Sequence, residues 1–162
     1  MKLTDYNFDL PQELIAKEPP KERGSSRLLV VDEPLIDSYF ADILNYFNKG
    51  DLLVINDTKV FNARLEAFKS SGGKVEILIE RKLDDFHVLA MTKSNRTLKE
   101  NDKLLIADSE VIAKVVQKKD YLCRIKFSKS IEEVIDEYGS LPLPPYLNRE
   151  PNEEDNSRYQ TV

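Results

Sequence analysis

Between residues 60 and 127, short apolar stretches recur with a period of two. Val75, Ile77 and Ile79 share one face of a segment whose other face is Lys74, Glu76 and Leu78. Phe86-Val88-Ala90, Leu104-Ile106, Val111-Ala113-Val115 and Cys123-Ile125-Phe127 repeat the alternation, and Val60, Asn62, Arg64 and Glu66 begin it. Spacers rich in turn formers separate them: Ser70-Ser71-Gly72-Gly73, Asp84-Asp85, Asn101-Asp102, Asp108-Ser109 and Lys118-Lys119-Asp120. Successive side chains of a strand point to opposite faces, so this pattern predicts a small antiparallel sheet or barrel of five or six strands.

The flanks read differently. Leu10-Pro11-Gln12-Glu13-Leu14-Ile15-Ala16 predicts one or two helical turns with Pro11 near their start, stopped by Pro19-Pro20. Leu28-Leu29-Val30-Val31 and Leu52-Leu53-Val54-Ile55 are continuous apolar runs, the pattern of strands buried on both faces. Between them, residues 36–40 are expected to form a short strand and residues 42–47 a short helix closed by Gly50, a βαβ-like order. After the barrel, Ser130 with Glu133 three residues on marks a helix start, and Gly139 its stop. Leu141-Pro142-Leu143-Pro144-Pro145-Tyr146 predicts rigid extended backbone. Glu153-Glu154-Asp155 is expected to begin a last helix running into Arg158-Tyr159-Gln160. The chain stops at Val162 without a polar tail, and the expectation is of a larger protein cut short.

Composition narrows the classes. The chain has 162 residues, 41% hydrophobic and 33% charged, and no apolar run approaches the ~18 residues of a membrane span. No secretory signal is visible at the N-terminus. The single cysteine, Cys123, forbids an internal disulfide and reads as a small buried hydrophobe; with one histidine, His87, it cannot build a Cys/His zinc site. Residues 59–129 carry a net charge of +6 and the flanks together −11, giving the overall −5. A basic middle between acidic flanks suggests two domains with different partners.

Three polar sets are candidates for chemistry. The first is Arg23, Ser26 and Arg27, two guanidiniums and a hydroxyl suited to a phosphate or carboxylate, or else a solvated loop. The second is Asn56-Asp57-Thr58-Lys59, at the expected carboxyl end of the 52–55 strand. There a carboxylate acts as general base or holds ribose hydroxyls, or else the segment is a turn. The third is Tyr146, Arg149, Asp155, Arg158, Tyr159 and Gln160, aromatic faces and guanidiniums suited to a base and a phosphate, or else a helix with Asp155–Arg158 pairing. The basic middle adds Lys93, Arg96, Lys99, Lys118, Lys119, Arg124 and Lys126, able to track a nucleic-acid backbone, or else an ordinary charged surface.

Taken in order, Leu14-Ile15-Ala16 with Pro19-Pro20, residues 23–30, 50–65, Gly72-Gly73-Lys74-Val75-Glu76, residues 141–149, and Asp155 followed by Arg158-Tyr159-Gln160-Thr161-Val162 resemble the S-adenosylmethionine:tRNA ribosyltransferase-isomerases of queuosine biosynthesis. The resemblance runs from end to end of the chain. It departs at Gly24, where the family has Asp, and at Lys59, where it has Arg. Family members are longer, and their later Pro-Thr-Ala-Gly-Leu-His-Phe motif is not in this sequence, so the likeness is to an N-terminal half.

The resemblance implies an α/β fold: a mixed α/β domain of residues 1–61 and 139–162, interrupted by an inserted antiparallel β-barrel of residues 62–138. It implies a cytoplasmic, monomeric transferase that moves and isomerises the ribosyl part of S-adenosylmethionine onto 7-aminomethyl-7-deazaguanine in tRNA, giving epoxyqueuosine-tRNA. S-adenosylmethionine is then the ribosyl donor, tRNA the partner, and neither metal nor membrane is expected. Asp57 and Asn56 are expected to hold the ribose or act near its C5′. Arg23, Ser26, Arg27, Thr58 and Lys59 are expected to bind substrate, with Arg23 and Arg27 on the methionine carboxylate or a tRNA phosphate. Tyr146, Arg149, Arg158 and Tyr159 are expected on the side of the modified base. The alternatives are a non-enzymatic tRNA- or RNA-binding module, and an inactive N-terminal fragment of that enzyme.

Overall fold

The computed structural model describes residues 2–160. Thr161 and Val162, the end of the Arg-Tyr-Gln-Thr-Val block, lie outside the described residues. The chain divides into two compact units. Among the described residues, one comprises those up to Asp57 with Pro144–Glu150; the other comprises Thr58–Leu143 with residues 151–160.

The second unit contains the well-packed core. Six strands, β3 (Arg64–Lys69), β4 (Lys74–Lys82), β5 (His87–Ser94), β6 (Lys103–Ile106), β7 (Ile112–Lys119) and β8 (Leu122–Phe127), close into an antiparallel barrel in the order β3-β4-β5-β8-β7-β6. β6 pairs with β3 through Ala67 opposite Ile106, which seals the ring and leaves no open edge. The period-two pattern is the cause. Leu65, Ala67, Val75, Ile77, Ile79, Val88, Ala90, Leu104, Ile106, Ala113, Val115, Cys123, Ile125 and Phe127 all turn inward and are buried. β-Bulges between Ile79 and Arg81 and between Val115 and Gln117 add the extra twist that closure requires. Cys123 is fully buried and lies with Sγ 3.7 Å from the Thr92 hydroxyl.

Helix α1 (Ile131–Tyr138) follows β8. Its Ser130 cap accepts the Glu133 N–H at 3.3 Å, and Ile131, Val134 and Ile135 join the barrel's apolar cluster. The strand that opens the barrel and the segment that follows α1 then run side by side. The Arg64 N–H donates to the Ser140 carbonyl (3.1 Å), the Ser140 N–H donates back (2.8 Å), and Arg64 Nη2 donates to the Leu143 carbonyl (2.9 Å). These bonds span 76 and 79 residues of sequence. They tie the segment that enters the barrel to the segment that follows α1.

The first unit holds a two-stranded antiparallel sheet, β1 (Arg27–Val30) and β2 (Ile36–Tyr39), with short 3-10 helices at Leu3–Tyr6, Gln12–Leu14, Phe40–Tyr46 and Pro145–Leu147. The turns expected near Pro11 and at residues 42–47 are thus present, as 3-10 rather than α. The strand expected at residues 52–55 is not. Residues 51–63 are irregular, and Leu52, Leu53, Val54 and Ile55 are 87%, 63%, 83% and 71% exposed. A strand covered on both faces needs pairing strands and a layer above and below, and no strand among the described residues lies beside this run. The βαβ-like order therefore stops at β1, β2 and a 3-10 helix, and the α/β layering expected of the flanks is not formed among the described residues. The last helix is also shorter than expected: α2 covers only Asp155–Arg158.

Candidate functional site

In the first unit, Arg27 begins β1 opposite Tyr39 and reaches Asp37 at 3.6 Å, with both side chains solvent-exposed. Such a pair is screened by water and contributes little to stability. Ser26 lends its carbonyl to the Phe40 N–H (2.8 Å), which fixes the start of the hairpin. Arg23 lies in the turn before it, where Gly24 takes a left-handed φ of 90° and the Ser25 hydroxyl donates to the Glu22 carbonyl (2.8 Å). A glycine, without a Cβ, suits that conformation. Asn56 and Asp57 sit exposed on irregular backbone, so Asp57 does not stand at a strand end as the sequence suggested.

Arg149 is half-buried. Its Nε donates to the Lys17 carbonyl (2.8 Å) and Nη1 to the Glu150 carbonyl (3.1 Å). The guanidinium expected to hold a phosphate thus spans 132 residues of sequence and ties the proline-rich segment to residue 17. Tyr146 lies on the adjoining 3-10 turn with its ring exposed, and Asn148 takes a left-handed φ of 48° just after it. In this unit the structure therefore places Arg149 against Lys17, while Tyr146 stays exposed on the neighbouring turn.

In the second unit, Thr58 and Lys59 lead into Val60, which is held from 100 residues away. The Val60 N–H donates to Gln160 Oε1 (2.9 Å), and Gln160 Nε2 donates back to the Val60 carbonyl (3.1 Å) and to the Asn156 carbonyl (3.3 Å). The carboxamide acts as a surrogate strand partner, satisfying both main-chain groups of one residue. Arg158 and Tyr159, both half-buried, flank it on α2 and just past it. Asp155 is the one buried charged residue among those described. It accepts the Asn152 N–H (2.8 Å) while its own N–H donates to Asn152 Oδ1 (3.1 Å), a reciprocal pair that closes the first turn. Gln160 was legible only as one member of a polar set, because no spacing rule links it to Val60. Substituting Gln160 by alanine is expected to cost about 1–2 kcal/mol, since two half-buried main-chain groups lose their partners. Thermal unfolding of the variant against the wild type measures it.

Neighbours shift the acidity of Asp84, Asp42 and Tyr138. The Phe86 N–H, then the His87 ring, hold the Asp84 carboxyl below the usual range; the Nδ1–Oδ1 distance is 2.8 Å. The Ser38 hydroxyl, then the Tyr39 N–H, do the same for Asp42, and the Glu137 carboxylate raises Tyr138. The Asp84–His87 pair secures the β4–β5 hairpin.

Cavities among the described residues open on the barrel unit, two of them at its hairpins. One of about 300 Å³ lies between the β3–β4 hairpin and the loop after β5. Lys69, Ser71, Lys74, Ser94 and Arg96 line it, and Lys69 Nζ donates to the Arg96 carbonyl (2.6 Å). The other, about 410 Å³, lies at the β4–β5 hairpin and the start of α1, between Lys82, Asp84 and Glu132. Neither is lined by a residue of the three polar sets; Arg96, of the basic middle, lines the first. No helix among the described residues is long and apolar enough to cross a membrane.

Among known proteins, the profile of the family described as "Queuosine biosynthesis protein" matches residues 3–162. A curated relative, the S-adenosylmethionine:tRNA ribosyltransferase-isomerase of Acinetobacter baylyi, is 46% identical over 164 residues, which take in 100% of this chain and 48% of the relative. The chain therefore spans about half the length of that curated relative. The crystal structure of an S-adenosylmethionine tRNA ribosyltransferase from Thermotoga maritima, at 2.00 Å resolution, aligns at a TM-score of 0.43 and 30% identity over 95% of this chain and 54% of that one.

Proposed function

The chain belongs to the queuosine biosynthesis protein family, and from that premise we propose that it serves an S-adenosylmethionine-dependent tRNA ribosyltransferase-isomerase. The observation that carries this reading is 46% identity over the whole chain to a relative of that name. In the proposed reaction, the ribosyl part of S-adenosylmethionine is transferred to 7-aminomethyl-7-deazaguanine in tRNA and isomerised to epoxyqueuosine, in the cytoplasm and by a monomer. The mixed α/β domain interrupted by the barrel, with boundaries at residues 1–61, 62–138 and 139–162, belongs to the same proposal.

Bound S-adenosylmethionine supplies a sulfonium that acidifies the neighbouring ribose C5′. Asp57 is assigned to that proton or to the ribose hydroxyls, with Asn56 beside it as hydrogen-bond partner. Arg23 and Arg27 are assigned to a carboxylate or phosphate, for which a planar guanidinium fork is suited. Arg149 is better read as a positioning residue, because two backbone carbonyls already take its Nε and Nη1.

The test is S-adenosylmethionine binding to this chain by calorimetry, with the full-length Acinetobacter baylyi relative as control. Binding by both is expected, with Asp57→Asn weakening it at least about tenfold through loss of a charged hydrogen-bond acceptor. Binding by the control alone overturns the assignment of the substrate pocket to residues 56 and 57.

A further inference from the structure

We propose that Lys103, Lys114 and Lys126 form a ladder on the outer wall of the barrel that binds the phosphate backbone of an RNA strand. Register puts them there. Lys103 on β6 lies directly opposite Lys114 on β7, and Lys114 lies directly opposite Lys126 on β8. All three point outward and are exposed, since their neighbours Leu104, Ala113, Ile125 and Phe127 fill the interior. The next position in the row, on β5, is His87, opposite Lys126, and Asp84 holds its ring. The row of unpaired charge therefore spans three adjacent strands and ends at the fourth.

Like charges directly opposite on neighbouring strands destabilise a sheet, and this wall carries two such juxtapositions in succession. The barrel unit pairs several other lysines with acids: Lys74 with Glu66, Lys82 with Glu132, Lys129 with Glu137. Among the described residues, none of the three ladder lysines has a carboxylate within ion-pair distance. Arg124, two residues before Lys126 and therefore on the same face of β8, likewise has none and adds a fourth cation.

Strands lie ~4.8 Å apart, so the ladder spreads three ammoniums over ~10 Å. A straight row suits a line of phosphates better than one small anion. Such a row releases counterions when phosphates replace them. The ladder itself follows from register and charge; the choice of RNA as the polyanion rests on the function proposed above.

The test uses the 162-residue chain and a fluorescently labelled tRNA anticodon stem–loop transcript, with affinity followed across a salt series. Removing the three charges (Lys103→Gln, Lys114→Gln, Lys126→Gln) is expected to weaken binding at least tenfold and to flatten the slope of log affinity against log salt by about 2, at roughly 0.7 per contact. A control triple variant (Lys2→Gln, Lys21→Gln, Lys49→Gln) removes equal charge and is expected to change affinity less than twofold. Equal losses in both variants, no loss in the ladder variant, or no RNA binding by the wild type overturns the proposal.

Titrating the same preparations with S-adenosylmethionine separates this from the functional reading. Ladder-dependent RNA binding without S-adenosylmethionine binding leaves the ladder standing and counts against the pocket at residues 56 and 57; the converse counts against the ladder. Thermal unfolding supplies a second readout. Lys114→Gln relieves both like-charge pairs, so a rise of about 2 °C or more at low salt, shrinking at high salt, is expected. A fall would show that the lysines stabilise the wall, and would overturn the argument.

Discussion

Replacing Phe127 with alanine is expected to cost about 3–5 kcal/mol, the usual penalty for emptying a large aromatic site in a core. Phe127 is the largest fully buried side chain described, at 1% exposure, and closes the inward face of β8 opposite Ala113, within the barrel's apolar cluster. For a unit of this size the loss corresponds to a fall in melting temperature of more than about 12 °C. Leu52→Ala is the matched control, because Leu52 is almost fully exposed on irregular backbone. Its change is expected to stay within about 0.5 kcal/mol. Circular-dichroism melts of the two variants test the contrast directly. Comparable losses would mean that residues 52–55 are packed in solution.

Gly139→Ala is expected to lose about 3 kcal/mol, the upper end of overpacking costs. The backbone at Gly139 is ordinary, with φ −77°, so the requirement is not conformational. It is steric: a Cβ there falls inside 3.0 Å of the main-chain oxygens of Asn62 and Ile135 and 2.9 Å from the Asn62 Cβ. Two of these three atoms are main chain, and they belong to α1 and to the segment leading into β3, so relief means moving backbone where these two segments meet. Gly73→Ala is the control, since its Cβ would meet only Lys69 Cδ at 3.8 Å and Ser71 Oγ at 3.9 Å. That substitution is expected to be neutral, or to stabilise by up to about 1 kcal/mol through the unfolded chain. A melting temperature for Gly139→Ala within 2–3 °C of the wild type would show that the junction is looser than the structure has it.

Both variants bear on how the fold was encoded. The barrel strands could be read from alternation alone, because a wall with one buried face imposes period two on every strand. Val75, Ile77, Ile79, Cys123, Ile125 and Phe127 were legible for this reason, as were the Ser130 cap and the Gly139 stop of α1. Closure was not legible. The pairing of β6 with β3 and the β5–β8 neighbour relation are long-range choices that leave no local mark. Glycine at 139 could be read as a helix stop, but the tight approach of Asn62 to it could not.

The apolar run at residues 52–55 misled for a related reason. Continuous hydrophobicity says that a segment prefers to be covered; it does not say what covers it. Asp57 lost its strand-end position with that run. In the candidate sites, residue type was informative and geometry was not. Arg149 has the chemistry of a phosphate ligand, yet two of its donors go to backbone carbonyls. Gln160 belongs to a polar set suited to a base and a phosphate, yet it supplies both hydrogen bonds of Val60.

The sequence by itself determined which residues of the barrel face inward, where α1 starts and stops, and which family the chain belongs to, because these are local periodicities, caps and ordered blocks of residues. Only the tertiary structure decided which strands become neighbours. It thereby brought Gln160 to Val60, pressed Gly139 against Asn62, and aligned Lys103, Lys114 and Lys126 in one row. Each of these depends on register between segments far apart in the chain, and register is fixed by the packing of the whole barrel.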